Sequence, residues 1–275
     1  MESKEMFFVF GTAKAGTTFV QMLLNSHPQL SCPVEHCFID ILNGLKQLLL
    51  VHYNKLLEYG DQITARQGAV LFDSEDVEYL FSVAVKRAAL KGARGRSVKR
   101  YGLKDNHFVF WLPLVEKWFP EARIISPVRD PRSVVVSGWH FNMRINPNFR
   151  QTRGKTIELW AADSGAIWKR DVEAILSLQK KYPERVLIIR YEDLRQDPEN
   201  HYARLFEFLE VDAGPGIVKK VIQKTAFEKF KDGRFFRRGG LEEWKKELTP
   251  QAIKIIEELN LPLMKTLGYE PYLLK

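Results

Sequence analysis

Cysteine is nearly absent: Cys32 and Cys37 are the only two in 275 residues. That is too few to staple a chain of this length with disulfides, so two reduced thiols are expected. Long apolar runs are missing as well. No stretch reaches the roughly 18 residues that cross a bilayer, and the richest, Ile41 to Val51, is broken by Asn43, Gly44, Lys46 and Gln47. A membrane span is excluded. The opening residues put Glu2 and Glu5 where a secretory leader is basic, and the run Met6 to Phe10 is too short for a leader's apolar region. The expectation is a cytoplasmic protein beginning at Met1. No internal repeat, low-complexity tract or linker rich in Gly, Pro and Ser divides the chain, so one domain over residues 1–275 is the simplest account.

What the sequence has is a globular balance, 45% hydrophobic and 28% charged, which excludes disorder and predicts a substantial core. Forty-two Lys and Arg against 34 Asp and Glu leave a net charge of +8, which favours an anionic ligand. Many bases stand where turns follow apolar runs: Lys14, Lys104, Arg129 with Arg132, and Arg237 with Arg238. Such placement predicts pockets rather than a continuous basic face. A further group, Lys86, Arg87, Lys91, Arg94, Arg96, Lys99 and Arg100, reads as a solvated helix end and loop, and no nucleic-acid partner is expected.

Met6 to Phe10 has the continuous apolar character of a buried parallel strand, and similar runs recur at Val98 to Leu103, Ala122 to Val128 and Val186 to Ile189. Helical patterns lie between them. One starts near Gly16 and closes at Pro28, one covers Phe38 to Glu58, and one runs from Asp73 or Ser74 to Leu90 before Gly92. Others begin at Asp130-Pro131, Thr156, Asp197-Pro198 and Thr249-Pro250, where a cap residue or a first-turn proline suits a helix start. The alternation predicts an α/β fold with a central parallel sheet flanked by helices. Phe141 to Arg153 and Lys231 to Gly240 read as long loops of the kind that edge binding sites.

The segment Gly11-Thr12-Ala13-Lys14-Ala15-Gly16-Thr17-Thr18 joins the first strand to the first helix. Unpaired amides and the helix dipole converge at such a junction and make an anion site, to which Lys14 adds a full charge and Thr17 and Thr18 add hydroxyls. An ATP-binding loop places lysine directly after its second glycine. Here Lys14 precedes Gly16. That order, followed by Leu24-Asn25-Ser26-His27-Pro28, resembles the 5′-phosphosulfate loop of the sulfotransferases that use 3′-phosphoadenosine 5′-phosphosulfate (PAPS). A second block, Ile124 to Phe141, resembles the family's 3′-phosphate segment, in which Arg129 and Ser137 match the two phosphate-holding residues. A guanidinium grips a phosphate through paired hydrogen bonds and a hydroxyl adds a donor. Tyr191 in Arg190-Tyr191-Glu192-Asp193, Thr225 and Phe227, and Arg237-Arg238-Gly239 before Trp244-Lys245 resemble the stretches that line the adenine and close on the 3′-phosphate. Arg238 stands where lysine is usual.

The resemblance implies a P-loop-NTPase-like sulfotransferase fold, PAPS as donor, no metal, and a small-molecule acceptor that receives sulfonate on a hydroxyl or amine by in-line displacement. Lys14 would stabilise the leaving phosphate and Lys104 would contact the sulfonate. Cytosolic small-molecule members carry a histidine two residues after that second lysine, where this chain has Asn106 and then His107. A one-residue slip turns a side chain to the other face. Glycan and tyrosyl members use a glutamate after the His-Pro turn, for which Glu35 is the counterpart. Glu35 is the preferred general base, with His107 and His36 behind it. A glycan or protein-tyrosine acceptor stays open, a nucleotide-kinase reading lacks the Gly-Lys-Ser/Thr order, and an RNA-binding module is a third alternative. His27, Cys32, His36 and Cys37 match no common zinc spacing, and His140 reads as structural. Trp139, Phe141, Phe149 and Trp160, with the helices of residues 38 to 90, would wall the acceptor pocket and suit a phenol, lipid or alkaloid better than a bare sugar.

Overall fold

In the computed structural model the described residues are 5–33, 37–65, 68–152, 154–226 and 240–274. Five strands form one sheet: β1 (Met6–Val9), β2 (Leu30–Ser31), β3 (Arg100–Lys104), β4 (Arg123–Val128) and β5 (Val186–Arg190). Their order is β2-β3-β1-β4-β5 and every pairing is parallel. The α/β fold read from the rhythm of the sequence is therefore observed. Only β2, two residues long, gave no periodic signal.

Strand β1 is buried on both faces, and its alternation divides the core. Met6, Phe8 and Phe10 pack with Val77, Phe81 and Val85 on one side, and Phe7 and Val9 with Phe19, Val20 and Leu23 on the other. Gly102 in β3 is required by this packing, since a Cβ there would lie 2.3 Å from the Phe7 ring. Pro127 sits inside β4 without breaking the sheet because pairing to β1 has ended by Ile125, so its missing N–H leaves no ladder bond unmade.

Helices α1 (Thr17–Asn25), α2 (Phe38–Lys46), α3 (Asn54–Thr64) and α4 (Ser74–Gly92) precede β3, and a wide turn at Gln47–Tyr53 joins α2 to α3. The predicted helix from Phe38 thus runs past Glu58. Helix α4 begins where expected, with Asp73 accepting from the amides of Glu75 and Asp76 while Asp76 accepts from that of Asp73. After β3 come α5 (Leu112–Trp118), α6 (Pro131–Ile145) and α7 (Ile157–Lys181). Helix α6 takes in residues expected to be loop: Phe141 to Ile145 continue it, because Asn142 donates to Gly138 O and no breaker stands before Pro147. The remainder are α8 (Tyr191–Gln196), α9 (Pro198–Phe208), α10 (Pro215–Thr225), α11 (Trp244–Glu247) and α12 (Pro250–Thr266). The basic group near residue 96 is not wholly solvated. Arg96 bonds Asn25 Oδ1 and the Leu30 carbonyl, both at 2.7 Å, and Arg100 reaches the Leu209 carbonyl and Glu210.

Beneath α6 lies a buried ionic cluster. Arg132 donates to Asp130 Oδ2 and to Glu257 Oε1, each at 2.7 Å, and to the Glu270 carbonyl at 3.0 Å, while its guanidinium stacks 3.9 Å from the Trp244 centroid. Glu257 is fully buried and also accepts from the amides of Tyr272, Leu273 and Leu274. Replacing Arg132 by Met leaves two buried carboxylates uncompensated. Urea unfolding of Arg132→Met is expected to show a loss of about 3–5 kcal/mol; a loss below about 1 kcal/mol would mean that the cluster does not hold this corner.

Candidate active site

The site is assembled at the carboxyl ends of the strands. After β1 the chain turns through Gly11 to Gly16, with Ala15 N donating to Thr12 O at 3.1 Å. Lys14 has φ 72° and Gly16 φ 97°, so both occupy the left-handed region. At Gly16 only glycine fits: a Cβ would stand 2.5 Å from Tyr191 Cδ2. No side chain caps α1 and its first turn holds no acid, which leaves an electropositive helix start facing the cleft.

Lys14, Lys104 and Arg129 meet in that cleft, whose volume is about 500 Å³ and which Arg144 also lines. Lys14 Nζ lies 3.1 Å above the Phe141 ring centroid. Lys104 ends β3 beside Val9 and is 3% exposed. Arg129 follows β4 with its guanidinium 4.7 Å from the Tyr191 centroid, and its Nε is buried without a hydrogen-bond partner among the described residues. Its carbonyl is fixed by Trp168 Nε1 at 2.9 Å. Thr17, Thr18 and Ser137 also line the cleft. Ser133 instead turns its hydroxyl onto the Leu241 carbonyl at 3.0 Å.

Other expected residues fall elsewhere. Ala15 is buried against Val128 and Trp168. Thr225 spends its hydroxyl on the Val221 carbonyl at 2.9 Å and does not line the cleft. His107 lies outside the lining and Asn106 is in it, because the chain enters a 3₁₀ turn there: Asp105 accepts from His107 N at 2.9 Å and from His107 Nδ1 at 2.8 Å. Glu35, His36, Phe227, Arg237, Arg238 and Gly239 lie outside the described residues. The acceptor wall needs correction. Of its four aromatics only Phe141 lines the cleft, and no described residue of 38–90 does. Trp139 borders an adjoining groove, while Phe149 is buried between Trp139 and Trp160. Among the described residues no three His, Cys, Asp or Glu side chains gather as a metal site. His27 donates from Nε2 to Asp212 O at 2.8 Å and accepts from Gln29 N at 3.1 Å.

Residues that motif reading passed over include Phe19, whose ring meets Tyr191 edge-on at 5.7 Å in the cleft. It reads as one more apolar helix position. Glu192 is another. Its Oε1 accepts from Asp130 N at 3.1 Å and its Oε2 from Tyr269 OH at 3.0 Å, which fixes the exit of β4 to the carboxyl-terminal segment. Burial is the main influence on this carboxyl and pushes its pKa up.

The sulfotransferase domain model matches residues 4–268. The chain belongs to that family. It is 24% identical over 168 residues to the amine sulfotransferase of Oryctolagus cuniculus, covering 53% of this chain and 55% of that one. Against the 3-alpha-hydroxysteroid sulfotransferase of Cavia porcellus it is 23% identical over 173 residues, 56% of this chain and 59% of the other. Matches to the first curated relatives span 46% to 66% of their lengths. The fold also resembles the crystal structure of mouse sulfotransferase SULT7A1 complexed with PAP, with a TM-score of 0.63, 18% identity, and coverage of 95% of this chain and 84% of that one. The P-loop-like architecture expected from Lys14-x-Gly16 is the family's own.

A pH signature follows from Glu192. Its folded pKa lies above the unfolded value of about 4.3, so the folded state holds the proton more tightly. The stability this contributes is complete below that value and is lost as pH rises through the folded pKa. Denaturant titrations are expected to show Glu192→Gln gaining on the wild type as pH rises from about 4 to 8; a difference that stays flat with pH would contradict it.

Proposed function

We propose that this sulfotransferase-family chain moves the sulfonate of PAPS to a hydroxyl or amine of a small-molecule acceptor in one in-line displacement. The observation that carries the reading is the meeting of Lys14, Lys104, Arg129 and the uncapped start of α1 in one cleft. The PAP named with the mouse neighbour supports the choice of nucleotide, and the amine named for the rabbit relative supports a small acceptor. The buried Arg129 Nε, without a partner among the described residues, and the Gly16 cradle fit a ligand with several phosphate oxygens. When bound, PAPS supplies an activated sulfonate on a phosphate leaving group and brings roughly four negative charges.

The chain's own part is electrostatic and positional. Lys14, the backbone at Gly16, Thr17 and Thr18 would hold the 5′ side, and Lys14 would neutralise charge growing on the leaving oxygen. Arg129 and Ser137 would take the 3′-phosphate, joined by Arg237, Arg238 and Gly239. Tyr191, Phe227 and Phe19 would face the adenine, with Thr225 as packing behind them. Lys104 would orient the sulfonate. Glu35 would accept the acceptor's proton. His107 is the weaker candidate, since its Nδ1 is engaged by Asp105 and its ring lies beside Phe110 and Trp111 outside the cleft.

Adenosine 3′,5′-bisphosphate at a hundredfold excess over its Kd should stabilise the fold by about 2.7 kcal/mol, and ATP with magnesium should do so far less. Lys14→Ala should keep the fold and lose transfer of label from PAPS by at least about a hundredfold, a loss in line with removing one transition-state donor. No stabilisation by the bisphosphate, or full turnover in Lys14→Ala, would sink the proposal. For the base, Glu35→Gln should lower turnover more than His107→Ala; the reverse ranking would transfer the role to His107.

A further inference from the structure

Arg144 stands in the last turn of α6, lines the cleft, and has no function in nucleotide binding implied by the family's motifs. It is exposed, and among the described residues no carboxylate pairs with it. Seven residues separate it from Ser137, a rise of roughly 10 Å along the helix. It therefore lies beyond the residues assigned to the 3′-phosphate. Its immediate neighbour is Phe141: the Arg144 Cζ is 5.7 Å from that ring's centroid, and Lys14 Nζ is 3.1 Å from the same point. Together the two distances cap the separation of Lys14 and Arg144 at about 9 Å. One aromatic ring bridges that span through para substituents.

Resting on the proposed sulfonate transfer at Lys14, we infer that Arg144 reads an anionic group on the acceptor, so that the substrate is a compact hydroxy or amino compound whose carboxylate or comparable anion lies about one ring away from its nucleophile. Phe141 supplies the apolar floor between the two cations. A guanidinium suits this task because its fork matches a carboxylate through two parallel hydrogen bonds. Its exposure to water suits the distal group of an acceptor. A neutral acceptor would leave Arg144 solvated and gain nothing from it.

The test compares 4-hydroxybenzoate with 4-hydroxybenzamide, which have nearly the same shape and differ in charge. The kcat/KM ratio of acid to amide, taken with labelled PAPS, is expected to favour the acid in the wild type and to fall at least tenfold in Arg144→Ala. Arg144→Glu should invert the preference, and Arg144→Lys should restore part of it. The affinity of Arg144→Ala for adenosine 3′,5′-bisphosphate, measured by calorimetry, should stay within twofold of the wild type. An acid-to-amide ratio that is the same in wild type and Arg144→Ala overturns the inference, as does a tenfold loss of bisphosphate affinity, which would assign Arg144 to the nucleotide. Wild-type protein that binds no bisphosphate defeats the nucleotide reading itself, and so the two failures are distinguishable.

Discussion

Like charges gathered in a half-buried cleft repel, by about 4 kcal/mol for a pair 4 Å apart at an effective dielectric of 20, and the architecture around Lys14, Lys104 and Arg129 answers that constraint. All five strands are parallel, so their carboxyl ends share an edge. The three central ones, β3, β1 and β4, deliver one cation each, directly from β3 and through the following residues for β1 and β4. Lys104 is nearly inaccessible to water. Such a set suits a ligand with several negative charges, because a polyanion relieves the repulsion. The family assignment and the cleft thus meet in one electrostatic requirement.

Holding the cations in place falls to a second tier of acids, each the residue directly after a cleft residue. Asp105 follows Lys104, Asp130 follows Arg129 and Glu192 follows Tyr191. The first member of each pair faces the cleft and the second turns into the protein to bind backbone. Asp105 accepts from Phe38 N at 2.8 Å and from His107 N. Asp130 accepts from Arg132 N at 2.8 Å and from the Arg132 side chain. Glu192 accepts from Asp130 N and so links the second pair to the third. At Lys104-Asp105 and Arg129-Asp130 the chain thus puts charge forward and anchorage behind.

How much of this was legible follows from what each feature depends on. Strands β1, β3, β4 and β5 and the helix starts at Asp73, Asp130, Thr156, Asp197 and Thr249 were readable because local chemistry dictates them. The Lys14-Ala15-Gly16 order was readable because the turn itself requires it. β2 was not, since two residues carry no period. The extension of α6 through Arg144 escaped because Asn142 and Asn146 resemble loop composition, yet Asn142 donates within the helix. Trp139, Phe149 and Trp160 looked like a pocket wall because aromaticity alone does not say which face is inward. Only the fold shows that Trp160 bonds the Val135 carbonyl at 2.9 Å and that Phe149 is enclosed. Glu192 and Glu257 act through partners 62 and 125 residues away, a separation no motif encodes.

Helix α6 then works as a ruler laid along the cleft. Asp130 caps its start by accepting from Arg132 N, and the missing amide of Pro131 would be unpaired in that turn anyway. Successive turns present Ser133, Ser137, then Phe141 and Arg144 to the same side, as the 3.6-residue period demands. The first of these is tied to Leu241, the second lines the cleft, and the last pair stands beside Lys14. Because one rigid helix carries both Ser137 and Phe141, their spacing along the cleft is set by the helical rise rather than by loops. His140 ties the same stretch to Glu247 of α11, and Arg132 ties its first turn to Glu257 of α12. The helix is therefore braced along the cleft, and the proposed in-line transfer, which tolerates little error in alignment, would be served by an element that cannot easily bend.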